Sequence, residues 1–265
     1  MTLGLLLDID GVMVTSWKAL PGAVEAVATL ADRGFPRMFL TNTTSKSRGE
    51  IAAALARCGF DVAPEEILTA AKLTAEYLAQ HYPGKRVWVL NEGAIAEDMA
   101  GVDLTDDPAQ AQVVVLGGAG PVFSHQALSQ VLGLLLRGVP VIAMHRSMIW
   151  STAQGLSIDT GVYLEGLEKA AGVKIRAIGK PSPLGFRAAV DVMNLEPTQV
   201  VMVGDDMHND VLGAQASALI GVLVRTGKFR DEALAALQRD EFGPVPDHVI
   251  GSIADLPDLL EKLRG

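Results

Sequence analysis

At 265 residues and 27.9 kDa, with 49% apolar and 20% charged residues, the chain has the means to bury one elaborated core or two moderate ones. A net charge of −9 without any basic cluster argues against a nucleic-acid partner, because such binding rests on lysines and arginines that neutralise phosphates. A single cysteine excludes a disulfide scaffold, and no apolar run approaches the roughly 18 residues that span a bilayer, so no membrane partner is expected.

Residues 3–7 form an apolar, strand-like run that leaves no room ahead of it for a signal peptide, and a cytoplasmic protein is expected. Val24, Val27 and Leu30 recur at helical spacing before Gly34, which reads as a helix stop. Residues 37–40 form a second strand. Ser45 then stands at the N-cap of a helix that runs to Cys58, whose pattern with Ile51 and Leu55 turns the thiol to the buried side. Strands follow at 87–90, 113–116 and 140–144, and between the last two Leu128, Val131, Leu132 and Leu135 mark a helix that stops at Gly138. Pro181 to Pro183 open a helix that reaches Asn194, and strands at 199–203 and 219–224 complete the series.

Short apolar runs alternating with amphipathic helices indicate parallel βαβ units, so the fold class is α/β. Runs such as 113–116 and 200–203 are apolar on both faces, as a sheet covered by helices on both sides requires. Residues 79–178 carry a βαβ pattern of their own while the acidic motifs lie outside them, which points to an inserted second domain.

The chemistry concentrates at strand ends. Asp8-Ile9-Asp10-Gly11 follows the first apolar run, and ligands bind at the carboxyl ends of buried parallel strands. Two residues apart on extended backbone, Asp8 and Asp10 point the same way, and Gly11 lets the chain turn close to a ligand. Read as a calcium loop from Asp8, the run places Val12, Met13 and Ala19 where oxygen ligands, the glycine and the final acid belong, which excludes that reading. A second acidic run, Asp205-Asp206 with Asp210, ends another strand. Three acids so close call for a counter-charge, and Mg²⁺ shares its shell with carboxylates, water and a substrate phosphate. Between the two runs lie Thr41 and Asn42 after the second strand and Lys180 before a later helix, a hydroxyl and a point charge suited to phosphate oxygens.

In this order, an Asp-x-Asp-Gly strand end, a Thr strand end, a Lys and an acidic strand end, the chain resembles the haloacid dehalogenase (HAD) superfamily. Local runs at 41–44, 179–182, 213–215 and 224–228, with Gly155, Leu156, Asp159 and Gly161, resemble its subclass IIA and, within that, the phospholysine phosphohistidine inorganic pyrophosphate phosphatases and their relatives.

The resemblance implies a Rossmann-like parallel-sheet core over 1–78 and 179–265 with an inserted α/β cap of type C2 over 79–178. It implies a Mg²⁺-dependent phosphohydrolase acting through a phospho-aspartate on a small phosphorylated metabolite, with pyrophosphate or an N-phosphorylated compound as candidates. Carried over by residue, Asp8 is nucleophile and metal ligand, Asp10 acid/base and ligand through its backbone carbonyl, and Asp205 the third protein ligand. Thr41, Asn42, Gly11 and Lys180 surround the phosphoryl group, with Asp206 and Asp210 behind the metal.

The cap should select the substrate, and His145, in the loop with Arg146 and Ser147, is its candidate contact, followed closely by Trp150, Asp159 and Tyr163. A cap face is a candidate surface for a homodimer. A phosphomutase shares the phospho-aspartate and stands as the enzymatic alternative; a receiver-like phospho-acceptor module is the alternative without turnover. A dinucleotide-binding reading fails because Phe123 stands where the third glycine after Gly118 and Gly120 belongs.

Overall fold

The computed structural model describes residues 2–152, 155–240 and 243–264. The described chain divides into two compact units. One comprises Met1–Thr41, Arg48–Leu68 and Lys180–Gly265, the other Asn42–Ser47 and Thr69–Gly179.

The first unit is built on a six-stranded sheet whose spatial order is His248–Ile250, Ile220–Val224, Val200–Gly204, Gly4–Leu7, Arg37–Thr41 and Ile67–Thr69. Gly4–Leu7 pairs in parallel with Val200–Gly204 on one side and Arg37–Thr41 on the other, with Leu5 opposite both Val201 and Arg37. Chain order therefore reverses at Gly4–Leu7, and a crevice for ligands forms at the carboxyl ends of strands beside such a reversal. All four residues of that strand are buried, because helices cover both faces. Leu5, Leu7, Val27, Leu30, Phe39 and Val203 belong to one continuous core.

Helix boundaries follow local chemistry. The Ala23–Asp32 helix ends where Gly34 adopts φ 71° and lets its own N–H and that of Phe35 return to Ala31 O and Leu30 O. Ser182 caps Pro183–Met193 by accepting from Leu184 N, as the proline pair suggests. Ser45 is not a cap: the helix begins only at Arg48. Residues 42–47 are held in the second unit, where Asn91 Nδ2 donates to Thr44 O at 3.1 Å and Ser47 Oγ to Glu97 Oε2 at 2.6 Å. Cys58 lies just past that helix, half-buried, its Sγ donating to Trp17 O at 3.1 Å.

The second unit has its own five-stranded parallel sheet, ordered Arg176–Ala177, Val141–Ala143, Val113–Leu116, Val87–Leu90 and Leu104–Thr105. Helices Ala70–His81, His125–Leu136 and Thr160–Ala171 belong to it, and Val114, Leu116, Val131 and Leu164 lie in its core. Gly138, at φ 81°, stops His125–Leu136 as Gly34 stops the earlier helix. Among the described residues no helix is long and apolar enough to cross a membrane.

Candidate active site

Three strand ends of the first unit converge. Asp8 follows Gly4–Leu7, Thr41 ends Arg37–Thr41, and Asp205 follows Val200–Gly204; all three are buried. Lys180 is buried with them, contrary to what an isolated lysine ahead of a helix suggests, and its Nζ lies 2.5 Å from Asp8 Oδ1 and 2.7 Å from Asp210 Oδ1. Asp210 reaches this point from a wide helical turn, Met207–Leu212. Asp206 caps that turn by accepting from Asn209 N at 3.0 Å, and Asp206 N donates to Asp210 Oδ2 at 3.2 Å.

One carboxylate oxygen from each of Asp8, Asp205 and Asp210 lies within 4.8 Å of the others. Asp205 Oδ2 accepts from Lys228 N at 2.7 Å, whereas its buried Oδ1 has no hydrogen-bond partner. When ionised, the three carboxylates crowd more negative charge together than the Lys180 ammonium in contact with two of them offsets, and Lys228 adds its charge only from the neighbouring loop. A hard divalent cation matches both that charge and the all-oxygen donor set, so the residues present fit such an ion.

The electrostatics follow from burial. Burial raises the Asp8 carboxyl above its usual range, opposed by Lys180, while the nearby charge of Asp10 adds to the rise. Asp205 is pushed up to about 8 by burial and then by Asp8 and Asp210. Asp210 is pushed up to about 7, burial outweighing Lys180. For Lys180 burial alone would favour the neutral amine, but the Asp210 and Asp8 carboxylates outweigh it and keep the ammonium charged. Burial also acts on Asp206, yet the Asn209 N–H and the Lys228 ammonium leave that carboxyl below its usual range.

Asp10 is exposed on a tight turn in which Gly11 N donates to Val14 O at 2.7 Å and Val14 N to Ile9 O at 3.2 Å. Gly11 adopts φ 85°, and a Cβ there would overlap Asp205 Oδ2.

Asn42 and His145 belong to the second unit. His145 is buried rather than displayed on a surface loop: Ser147 N donates to its Nδ1 at 3.3 Å, and Asp159 Oδ2 stands 4.0 Å from the same nitrogen. Asp159 caps the Thr160–Ala171 helix, Tyr163 packs its ring 5.2 Å from that of Phe123, and Trp150 is exposed.

Two features escape residue-by-residue reading. Asp210 joins the carboxylate cluster directly; its signal is the five-residue spacing from Asp205, which one helical turn folds back on the strand end. The Thr226-Gly227-Lys228 loop touches both Asp205 and Gly11, and only the sheet order reveals that proximity.

The profile of the haloacid dehalogenase-like hydrolases matches residues 5–105, and that of a related HAD-hydrolase-like family matches residues 177–256. Phospholysine phosphohistidine inorganic pyrophosphate phosphatase of Mus musculus is 33% identical, over 98% of this chain and 94% of that protein. Among solved structures, a p-nitrophenyl phosphatase from Archaeoglobus fulgidus superposes with a TM-score of 0.89 at 30% identity, covering 97% of this chain and 99% of that one. A glycerol phosphate phosphatase from Mycobacterium tuberculosis, in complex with magnesium, gives a TM-score of 0.83 at 26% identity, with 96% and 76% covered.

Proposed function

We infer that this chain, which belongs to the haloacid dehalogenase-like hydrolase family and is a phosphatase of that superfamily, releases inorganic phosphate from a small phosphorylated metabolite through a phospho-aspartate on Asp8. The observation that carries this reading is the buried Asp8–Lys180–Asp210 chain beside Asp205, whose Oδ1 has no protein partner. It joins a nucleophile, a fixed ammonium and an oxygen site for a cation at the switch point of a parallel sheet. In this reading the first unit is the catalytic core and the second the cap.

Mg²⁺ would be held by Asp8, Asp205 and the backbone carbonyl of Asp10, and when bound it offsets negative charge on the carboxylate and the phosphoryl group. Lys180 performs the same service from the protein side. Its ammonium, fixed between two carboxylates, needs no reorganisation as charge shifts toward the phosphoryl oxygens.

Asp8 attacks phosphorus with one oxygen, and the bond from phosphorus to the leaving oxygen or nitrogen breaks in line. Asp10, exposed on its turn, gives that leaving atom a proton. The resulting Asp10 carboxylate takes a proton from water as the water oxygen attacks the phospho-aspartate, which frees phosphate and restores both acids. Thr41 and Asn42 position the phosphoryl group with Lys180 and the turn at Gly11.

The cap selects the leaving group, with His145 as its candidate contact. Pyrophosphate and phosphoramidates are the first substrates to test, because the similar mouse phosphatase is named for inorganic pyrophosphate and for phospholysine and phosphohistidine, whose phosphoryl groups are borne on nitrogen. Purified protein with Mg²⁺ is assayed for phosphate release from p-nitrophenyl phosphate, pyrophosphate, phosphoglycolate and a phosphoramidate, with Asp8→Asn as control. Release that needs both metal and Asp8 supports the mechanism. Release unchanged in Asp8→Asn would overturn it, and the ranking of substrates tests the preference.

A further inference from the structure

The strand order places an unassigned loop over the cation site. Ile220–Val224 and Gly4–Leu7 are not neighbours, because Val200–Gly204 lies between them and ends at Asp205. The loop that leaves Ile220–Val224 nevertheless meets the loop that leaves Gly4–Leu7. Thr226 Oγ1 donates to Gly11 O at 2.5 Å, so the two loops are joined across the end of the middle strand.

Asp205 sits in that junction. Lys228 N donates to its Oδ2 at 2.7 Å. Gly227 adopts φ 58°, and a Cβ there would overlap the same Oδ2 and stand 2.7 Å from Gly11 Cα. The Oδ2 oxygen is thus walled in by two glycines and committed to one backbone donor. The other oxygen, Oδ1, is buried and has no hydrogen-bond partner.

We propose that Thr226, Gly227 and Lys228 form a clasp that fixes the rotamer of Asp205, committing Oδ2 to the Lys228 amide and leaving Oδ1 as a preset ligand for the divalent cation. Thr226 is a positioning residue in this scheme: it touches neither substrate nor cation. Its hydroxyl holds the Gly11 carbonyl, and with it the turn that carries Asp10, beside the Gly227 backbone. Because all of these contacts lie in the first unit, the clasp presets the ligand before any substrate arrives. The inference rests on the reading of Asp205 as a cation ligand and adds to it the device that orients that ligand. Groups that orient a metal's ligands through hydrogen bonds typically change metal affinity by about 10- to 100-fold when removed.

The test compares Mg²⁺ binding to wild type, Thr226→Val and Thr226→Ser by titration calorimetry on substrate-free protein, together with the melting temperature of each without Mg²⁺. Thr226→Val keeps the side chain's shape and removes its donor; it should weaken Mg²⁺ binding about 10-fold. Thr226→Ser, which keeps the hydroxyl, should restore binding close to the wild-type value. The metal-free melting temperatures should stay close together, which separates a positioning role from general destabilisation.

Mg²⁺ binding in Thr226→Val equal to wild type would overturn the clasp while leaving Asp205 as a ligand. Absence of Mg²⁺ binding by the wild type would overturn the cation reading and the clasp with it. If Thr226→Val does not fold, Thr226→Ala, which adds no atom to the junction, takes its place in the same comparison.

Discussion

Replacing Lys180 by methionine keeps most of the side chain's apolar length but removes the ammonium that lies 2.5 Å from Asp8 Oδ1 and 2.7 Å from Asp210 Oδ1. Lys180 is the chief group that opposes burial at Asp8, with Lys228 acting in the same sense, so its removal raises that carboxyl further. Asp210 already stands near 7 in the wild type, and the new cost falls chiefly on Asp8. Each unit by which a folded acid is raised above its ordinary 3.8 costs about 1.4 kcal/mol once pH has passed the raised value, so the cost to the variant grows with pH.

The sign follows from the direction of the shift. A folded-state value raised above the unfolded one leaves stability intact below the unfolded value and removes it as pH rises toward the folded one. The stability gap between wild type and Lys180→Met in urea denaturation should therefore widen by up to about 1.4 kcal/mol per unit from pH about 5 to pH about 7. Phosphate release should fall about 100- to 1,000-fold at the same time, the usual cost of losing one preorganised charge at the reacting group. A gap that is flat or narrows with rising pH would refute the buried-pair reasoning. Activity kept within about 10-fold of wild type would remove Lys180 from the chemistry.

Three further outcomes are expected, two at the carboxylate cluster and one in the second unit. Because Asp205 and Asp210 are raised from 3.8 to about 8 and about 7, the metal-free protein should lose stability as pH rises from 3.8 toward those values, and added Mg²⁺ should raise the melting temperature more near pH 8 than near pH 6. An equal or reversed difference in a thermal-shift series would contradict the assignment. Gly11→Ala forces a Cβ against Asp205 Oδ2 at a positive φ, so phosphate release should drop about 100-fold; turnover within a few-fold of wild type would show that the turn adapts.

In the second unit, Glu168 accepts from Arg146 Nη1 and Nη2 at 2.8 and 3.0 Å, from Ile175 N at 2.8 Å and from Lys174 Nζ at 3.1 Å. Chiefly through Arg146, these hold its carboxyl down to about 2 from an ordinary 4.5. After a discount for the exposed Lys174 and partly exposed Arg146, Glu168→Gln should cost about 2 kcal/mol above pH 4.5. That loss should fade as pH falls from 4.5 toward 2, because a depressed folded value adds stability only while the group is ionised. Denaturation curves of the two proteins at neutral and acidic pH read it directly.

The central buried strands are legible in the residues alone, because Gly4–Leu7, Val113–Leu116 and Val200–Gly204 are apolar on both faces. Short edge strands such as His248–Ile250, Leu104–Thr105 and Arg176–Ala177 are not, since each is half-exposed or only two residues long and owes its pairing to a neighbour already in place. Helix ends are readable where a glycine or a capped proline pair decides them locally, as at Gly34, Gly138 and Ser182. They fail at Ser45, where contacts to Asn91 and Glu97 take the segment before the helix out of local control.

The α/β class, the acidic strand ends at Asp8 and Asp205, and the order of acid, threonine, lysine and acid along the chain are properties of local pattern and covalent order, and the residues alone carry them. Packing in three dimensions buries Lys180 between Asp8 and Asp210, brings Asp210 into the carboxylate cluster, encloses His145, and closes the Thr226–Lys228 loop over Asp205. The parallel sheet accounts for this. It gathers the carboxyl ends of strands remote in sequence into one place, and its spatial order decides which loops meet there.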